Sequence, residues 1–273
     1  KFEKENNLYF EKKNISVAPG GKSIIYNAIF STINPGDEVI IPAPFWVSYP
    51  DIVKLAGGNP VIIKTSSENN FKISANQLEK SITDKTKWLF INSPSNPTGQ
   101  VYSKSELTEI IKVLKKYKNV YILSDDIYEY IRYKNHDRFY TIAELDDEIF
   151  SRTITMNGVS KAYSMTGWRI GYCGGPVEII NAMRKLMGQS TSNPSSISQW
   201  ASVEALNGSR DFLQNWIPSF RERRDYIVDY LNNCDGIECL NPEGAFYVYP
   251  SCAGIIGKKF KDKVIASDKD FAM

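Results

Sequence analysis

Short apolar runs that end in loops of glycine, proline or acid, each followed by an amphipathic stretch, recur along this chain. That repeat narrows the folds open to it more than any other feature. Residues 38–41, 60–64, 88–92, 120–123 and 153–156 read as strands. Between them Ile25, Ala28, Ile29 and Ile33 recur at helical spacing, as do Leu107, Ile110, Ile111 and Leu114. Ser74-Ala-Asn-Gln77 and Ser103-Lys-Ser-Glu106 are capping boxes that mark two helix starts. Strand, loop and helix in repetition predict an α/β fold, a mostly parallel sheet with helices on both faces. In such a sheet a ligand lies outside the carboxyl ends of the strands. Polar residues just past those ends are therefore the first candidates for function.

Taken in order, those ends carry a varied set. A short strand leaves Val17 for Gly20-Gly21-Lys22 and a helix start, which either presents backbone N–H groups to an anion or is a tight turn. The proline-stiffened loop from Pro42 ends in Trp46, which serves a ligand or packs in the core. Ser93-Pro-Ser-Asn96-Pro97-Thr-Gly99 holds Asn96 between two prolines, so its direction is restricted. Ser124-Asp125-Asp126-Ile127-Tyr128 places two acids at one strand end, where successive side chains point different ways. The strand at 153–156 leads to Lys161, and 168–173 reads as a strand that carries Arg169.

Lys161 and Arg169 constrain the chemistry most. A lysine acts as a nucleophile when it is partly unprotonated, and a carbonyl partner is its usual use. An arginine offers a planar fork suited to phosphate. Pyridoxal 5'-phosphate asks for both at once, with an aldehyde and a phosphate. Alone, the pair reads first as two solvated surface charges; the strand ends upstream are what favour chemistry.

Composition removes several rivals. The 273 residues are 42% hydrophobic, enough for one large domain or two smaller ones. The net charge of +2 gives no field to attract nucleic acid or a membrane surface. No apolar run among the 273 residues is long enough to span a bilayer, and residues 1–14 do not have a signal-peptide pattern. Four cysteines without CxxC spacing and a single histidine, His136, make a poor zinc set and suggest reduced thiols in the cytoplasm. A serine hydrolase would depend on His136, which lies in a polar turn with no nucleophile elbow to serve. No GxGxxG follows a strand. Beyond Arg169, residues 177–187, 195–206 and 212–231 read as helices, and 237–240 and 245–249 as strands of a smaller second unit. The charged opening, 1–14, is helix-like.

With Ser93-Pro-Ser-Asn-Pro-Thr-Gly99, Ser124-Asp-Asp-Ile-Tyr128 and Ser160-Lys-Ala-Tyr-Ser-Met-Thr-Gly-Trp-Arg169 in this order, the chain resembles the fold type I, class I aminotransferases. It is most similar to the bacterial aspartate aminotransferase branch that includes aspartate/prephenate aminotransferases, from about Ile15 to Gly254. The resemblance implies a remnant of an N-terminal helical segment at 1–14, a large cofactor-binding domain at 15–207, and part of a small C-terminal domain at 208–273. It implies Lys161 as the Schiff-base lysine and proton carrier, and Asp125 as the carboxylate facing the pyridine nitrogen. It further implies Tyr128 and Asn96 at the phenolic oxygen, Trp46 on the ring face, and Gly21, Lys22 and Arg169 at the phosphate. Lys22, Trp46 and Asn96 are also implied at the substrate, with Lys22 meeting a distal carboxylate.

The chain departs from the pattern at several places. Gly158 stands where many members have a phosphate-binding serine, and Gly188 where one branch has a substrate-binding arginine. The arginine that clamps the substrate α-carboxylate is expected after Met273, and the segment that closes the site before Lys1. The resemblance implies transamination between aspartate or glutamate and 2-oxo acids, with prephenate as a further substrate, by a cytoplasmic homodimer. A pyridoxal-dependent lyase on the same scaffold and a non-catalytic, cofactor-binding regulatory domain are the alternatives. The lyase is disfavoured by Lys22, which suits a second substrate carboxylate, and the regulatory reading would need a basic winged-helix segment fused to this domain.

Overall fold

The computed structural model describes residues 1–133 and 138–273. His136 lies outside the described residues. Ten α-helices and eleven strands are described, in the order α1 (Phe2–Asn6), β1 (Ile15–Ala18), α2 (Gly21–Phe30), β2 (Glu38–Ala43), α3 (Ser48–Leu55) and β3 (Asn59–Lys64). Next come α4 (Ala75–Ser81), β4 (Thr86–Asn92), α5 (Lys104–Leu114), β5 (Tyr121–Asp125), α6 (Asp147–Phe150), β6 (Thr153–Gly158) and β7 (Gly171–Gly174). Then follow α7 (Val177–Gly188), α8 (Ser196–Asn207), α9 (Phe212–Asn232), β8 (Glu238–Cys239), β9 (Pro250–Ser251), β10 (Lys259–Phe260), β11 (Lys263–Val264) and α10 (Asp268–Ala272). Among the described residues no helix is long and apolar enough to cross a membrane.

Strands β1 to β7 form one sheet in the order β1-β7-β6-β5-β4-β2-β3. The run from β6 to β3 is parallel, while β7 runs antiparallel to both β6 and β1. The pleat divides the apolar strand residues between two cores. Val39, Ile41, Trp88, Phe90 and Leu123 join Ile25 and Ile29 of α2, Val53 of α3 and Met183 of α7 on one face. Ile40, Leu89, Ile91 and Ile122 join Leu78 of α4 and Leu107, Ile110 and Leu114 of α5 on the other. Strands buried on both faces lose the alternation of a half-exposed strand, which is why these segments read as continuous apolar runs. Both capping boxes form: Ser74 and Ser103 each accept from the N3 amide, and Gln77 and Glu106 accept in return from the cap amide.

Three expectations change. The opening helix covers Phe2–Asn6 alone, because Asn7 turns left-handed and ends it; Phe2 and Leu8 then pack against Ile170 and Tyr172. Residues 245–249 form no strand. Ala245 is left-handed, its amide donates to the Ile131 carbonyl, and Gly244 bridges Arg132, so the segment is tied to the chain beyond β5. Arg169 lies ahead of β7 rather than within it, in a left-handed conformation after a 3-10 turn at Thr166–Trp168. Since β7 is antiparallel, its amino end lies at the carboxyl edge of β6, with Gly171 opposite Gly158. That reversal brings Arg169 to the edge that collects the other candidates.

Candidate active site

One cavity of about 300 Å³ opens at that edge, and Gly21, Lys22, Trp46, Asn96, Asp125, Tyr128, Lys161 and Arg169 all line it. They arrive on five connections, those after β1, β2, β4, β5 and β6. Gly21 begins α2 directly after β1. Gly20 has a φ of 89° and lies so close beneath the Arg169 guanidinium that a Cβ there would collide with it. Gly171 is pressed equally hard against the backbone of Gly20 and Gly21. Two chain segments can approach this closely only where side chains are absent. Arg169 is braced from its other side by donating to the Thr166 carbonyl at 2.8 Å. The result is a guanidinium beside a helix N-terminus, whose first amides lack intrahelical partners.

Asp125, the last residue of β5, is 5% exposed. Its Oδ2 accepts from the Tyr49 hydroxyl at 2.6 Å, and its Oδ1 from the Ile127 amide at 3.3 Å. Burial raises its pKa to about 6, against the opposing pull of the Tyr49 hydroxyl, the Ile127 amide and the Lys161 charge. Asp126 points elsewhere. It is 2% exposed, accepts from Ser124 Oγ at 2.7 Å, and burial raises its pKa to about 8. The two adjacent acids thus belong to different environments, one in the cavity wall and one in the protein interior.

Lys161 is half-buried, and its ammonium lies 5.6 Å from the Tyr128 ring centroid and 5.5 Å from that of Phe246. Burial lowers its pKa, Asp125 raises it, and Arg169 lowers it further. An amine with weakened hold on its proton is what nucleophilic or general-base use requires. Tyr128 is buried, and its hydroxyl shares a 2.6 Å hydrogen bond with that of Tyr247; burial pushes its pKa up. Asn96 is held by its amide, which donates to Asn92 Oδ1 at 2.7 Å, while Asn92 Nδ2 donates to the Asp125 carbonyl at 2.9 Å. Lys22 Nζ lies 4.9 Å from the Trp46 ring centroid.

Three wall residues were not foreseen. Asn92 is the polar last residue of a buried strand, a signal of the kind that singled out Asp125. Tyr49 sits three residues past Trp46 on α3, and its partner lies 76 positions away, so no local pattern marks it. Tyr247 lies in the segment that read as a strand, and its partner is 119 positions away.

The chain matches the family described as aminotransferase class I and II over residues 1–271. It belongs to the class I and II aminotransferases. This aminotransferase chain is 54% identical, over 258 residues, to the aspartate/prephenate aminotransferase of Cereibacter sphaeroides. The match covers 94% of this chain and 64% of that protein. It is 50% identical to the aspartate aminotransferase of Rhizobium meliloti, whose crystal structure it matches with a TM-score of 0.96 over 99% of this chain and 68% of that one. The aspartate aminotransferase of Thermus thermophilus with maleate gives a TM-score of 0.85 at 39% identity, covering 90% of this aminotransferase chain and 64% of that structure. The chain thus spans about two thirds of the length of the relatives it matches.

Proposed function

We propose that this chain carries the cofactor site of a pyridoxal 5'-phosphate-dependent aspartate aminotransferase that moves an amino group between aspartate or glutamate and 2-oxo acids, with prephenate as a further acceptor. The observation that carries the reading is the convergence of Lys161, Asp125 and Arg169 with the Gly20-Gly21 turn on one cavity. The donor set suits the cofactor group by group. An amine of weakened basicity suits an aldehyde, and a guanidinium beside a helix N-terminus suits a phosphate dianion. A buried carboxylate suits a protonated ring nitrogen, and the Tyr128 hydroxyl with the Asn96 amide suits a phenolic oxygen. Trp46 supplies an aromatic face at the cavity wall.

When bound, the cofactor supplies an aldehyde to take up the amino group and a ring that accepts the electrons released at the substrate α-carbon. The chain's own groups do the rest. Lys161 Nζ takes a proton from that carbon and returns it elsewhere, helped by the burial that lowers its pKa. Asp125, ionised above about pH 6, meets a cation on the ring. Lys22 Nζ, on the first turn of α2 and against Trp46, meets the distal carboxylate of a dicarboxylic substrate. The Thermus thermophilus enzyme with maleate, itself a dicarboxylate, supports this choice of substrate class.

An apolar stripe on α8 supports a homodimer. Ile197 and Trp200 on that helix are 72% and 74% exposed, surface that a second copy would cover.

Borohydride treatment of the protein loaded with pyridoxal 5'-phosphate, followed by peptide mapping, tests the site. The expected result is a pyridoxyl label on Lys161; a label on another lysine would displace the reading.

A further inference from the structure

Asp125 can serve a cation only while its carboxylate is ionised and correctly turned, and the structure places one buried side-chain donor on it. Tyr49 is 3% exposed, and its hydroxyl reaches Asp125 Oδ2 at 2.6 Å. Its ring has little freedom. It stands edge-on to Trp46, with centroids 5.5 Å apart, and edge-on to Phe90 at 5.2 Å, while its amide donates to the Trp46 carbonyl at 3.0 Å. Trp46, Tyr49 and Asp125 are therefore coupled through one turn at the start of α3.

We propose that Tyr49 is a positioning residue for Asp125, whose hydroxyl fixes the rotation of the carboxylate and keeps it ionised at the cavity wall, resting on the cofactor reading above. A phenol at this place donates one proton and competes for one oxygen. The other, Oδ1, has the Ile127 amide at 3.3 Å. Three further titratable groups face the carboxylate's surroundings: Lys161 from the loop after β6, and Asp126 and Tyr128 from its own segment. Of these Lys161 favours the ionised form of Asp125, while the charge of Asp126, when present, opposes it. Removing the Tyr49 hydroxyl leaves burial opposed chiefly by the Ile127 amide and Lys161. Asp125 would then hold its proton to higher pH.

Tyr49→Phe tests this, because it deletes the hydroxyl and keeps the ring that packs on Trp46 and Phe90. The readout is the affinity for pyridoxal 5'-phosphate, followed by quenching of protein fluorescence at pH 6 and at pH 8.5. A hydrogen bond to a charged group is lost, so the variant should bind about tenfold more weakly than wild type at pH 6. At pH 8.5 the carboxylate is ionised with or without the hydroxyl, so the two affinities should converge. The acid limb of kcat/KM should move up by about one pH unit. In an Asp125→Asn background, Tyr49→Phe should add nothing at either pH. A purely structural tyrosine would lower the melting temperature and leave the pH dependence of binding untouched, which would overturn the proposal. If Tyr49→Phe does not fold, 3-fluorotyrosine at position 49 supplies a more acidic donor of nearly the same shape, and the acid limb should then move down; an unmoved limb overturns the proposal equally. Wild-type protein that fails to bind the cofactor would remove the proposed function too, whereas wild-type binding with a pH dependence shared by Tyr49→Phe removes this inference alone.

Discussion

Replacing Lys22 by alanine separates the two uses open to its ammonium. If it pairs with a distal carboxylate in a partly dehydrated site, its loss strands that carboxylate at roughly 2 to 5 kcal/mol. Aspartate, glutamate and prephenate should then lose roughly thirtyfold to several thousandfold in kcat/KM. Alanine and phenylalanine carry no distal anion and should change little. Ratios between substrates are the quantity to measure, at saturating cofactor, because Lys22 also belongs to the Gly20-Gly21 turn. Equal losses on aspartate and phenylalanine would assign the lysine to the cofactor or the fold. Asp126, buried beside the cavity-wall Asp125, bears on stability. Burial holds its pKa near 8 against an ordinary value of 3.8, so the folded chain keeps a proton that the unfolded chain releases. The stability this proton confers is complete below about pH 4 and is lost as pH rises to about 8. Asp126→Asn keeps a neutral side chain throughout, so its urea midpoint should fall less than that of wild type between pH 5 and pH 8. Parallel declines would mean that Asp126 titrates normally.

At the level of elements, β7 is the decisive strand. Its antiparallel direction puts Arg169 at its amino end beside the carboxyl ends of β5 and β6, where a further parallel strand would have carried the arginine to the opposite edge. The close approach of Gly171 to Gly20 and Gly21 then sets the distance between guanidinium and helix N-terminus. A methyl group at 171 would strike the Gly20 and Gly21 backbone, which has no flexible side chain to give way. Gly171→Ala should therefore cost about 1 to 3 kcal/mol of stability, and more in cofactor affinity than in stability. Thermal melts with and without pyridoxal 5'-phosphate check both. A variant that melted like wild type and kept its cofactor-induced rise in Tm would show that the two segments can part without harm to the site.

Across the molecule, distant segments are tied by charges that local patterns do not mark. Lys1 and Glu5 of the opening segment, Glu129 and Tyr130 beyond β5, and Arg210 ahead of α9 form one cluster. Glu5 is its hub, accepting from the Tyr130 hydroxyl and pairing with both Lys1 and Arg210. Glu5→Ala would leave these partners short of an acceptor in a largely covered place, at a cost of about 1 to 3 kcal/mol. A fall in the urea midpoint at unchanged slope is the expected signature. No change would place the cluster among surface ion pairs of little consequence.

What the sequence determined by itself was local chemistry and local period. Apolar runs, capping boxes and glycine or proline loops made the α/β fold legible, because strand and helix periods are properties of neighbouring residues. Three motifs, the Gly20-Gly21-Lys22 turn and the proline loop ending in Trp46 singled out eight residues that the folded chain brings to one cavity. Only the tertiary structure decided how those residues are supported. The direction of β7, the reach of Tyr49 to Asp125 across 76 positions, the meeting of Tyr128 with Tyr247 across 119, and the docking of residues 244–247 on the chain beyond β5 all depend on packing. A polar pair so far apart in the chain leaves no period to read. It exists because burial obliges each hydroxyl and carboxylate to find a partner, and the fold determines which partner lies within reach.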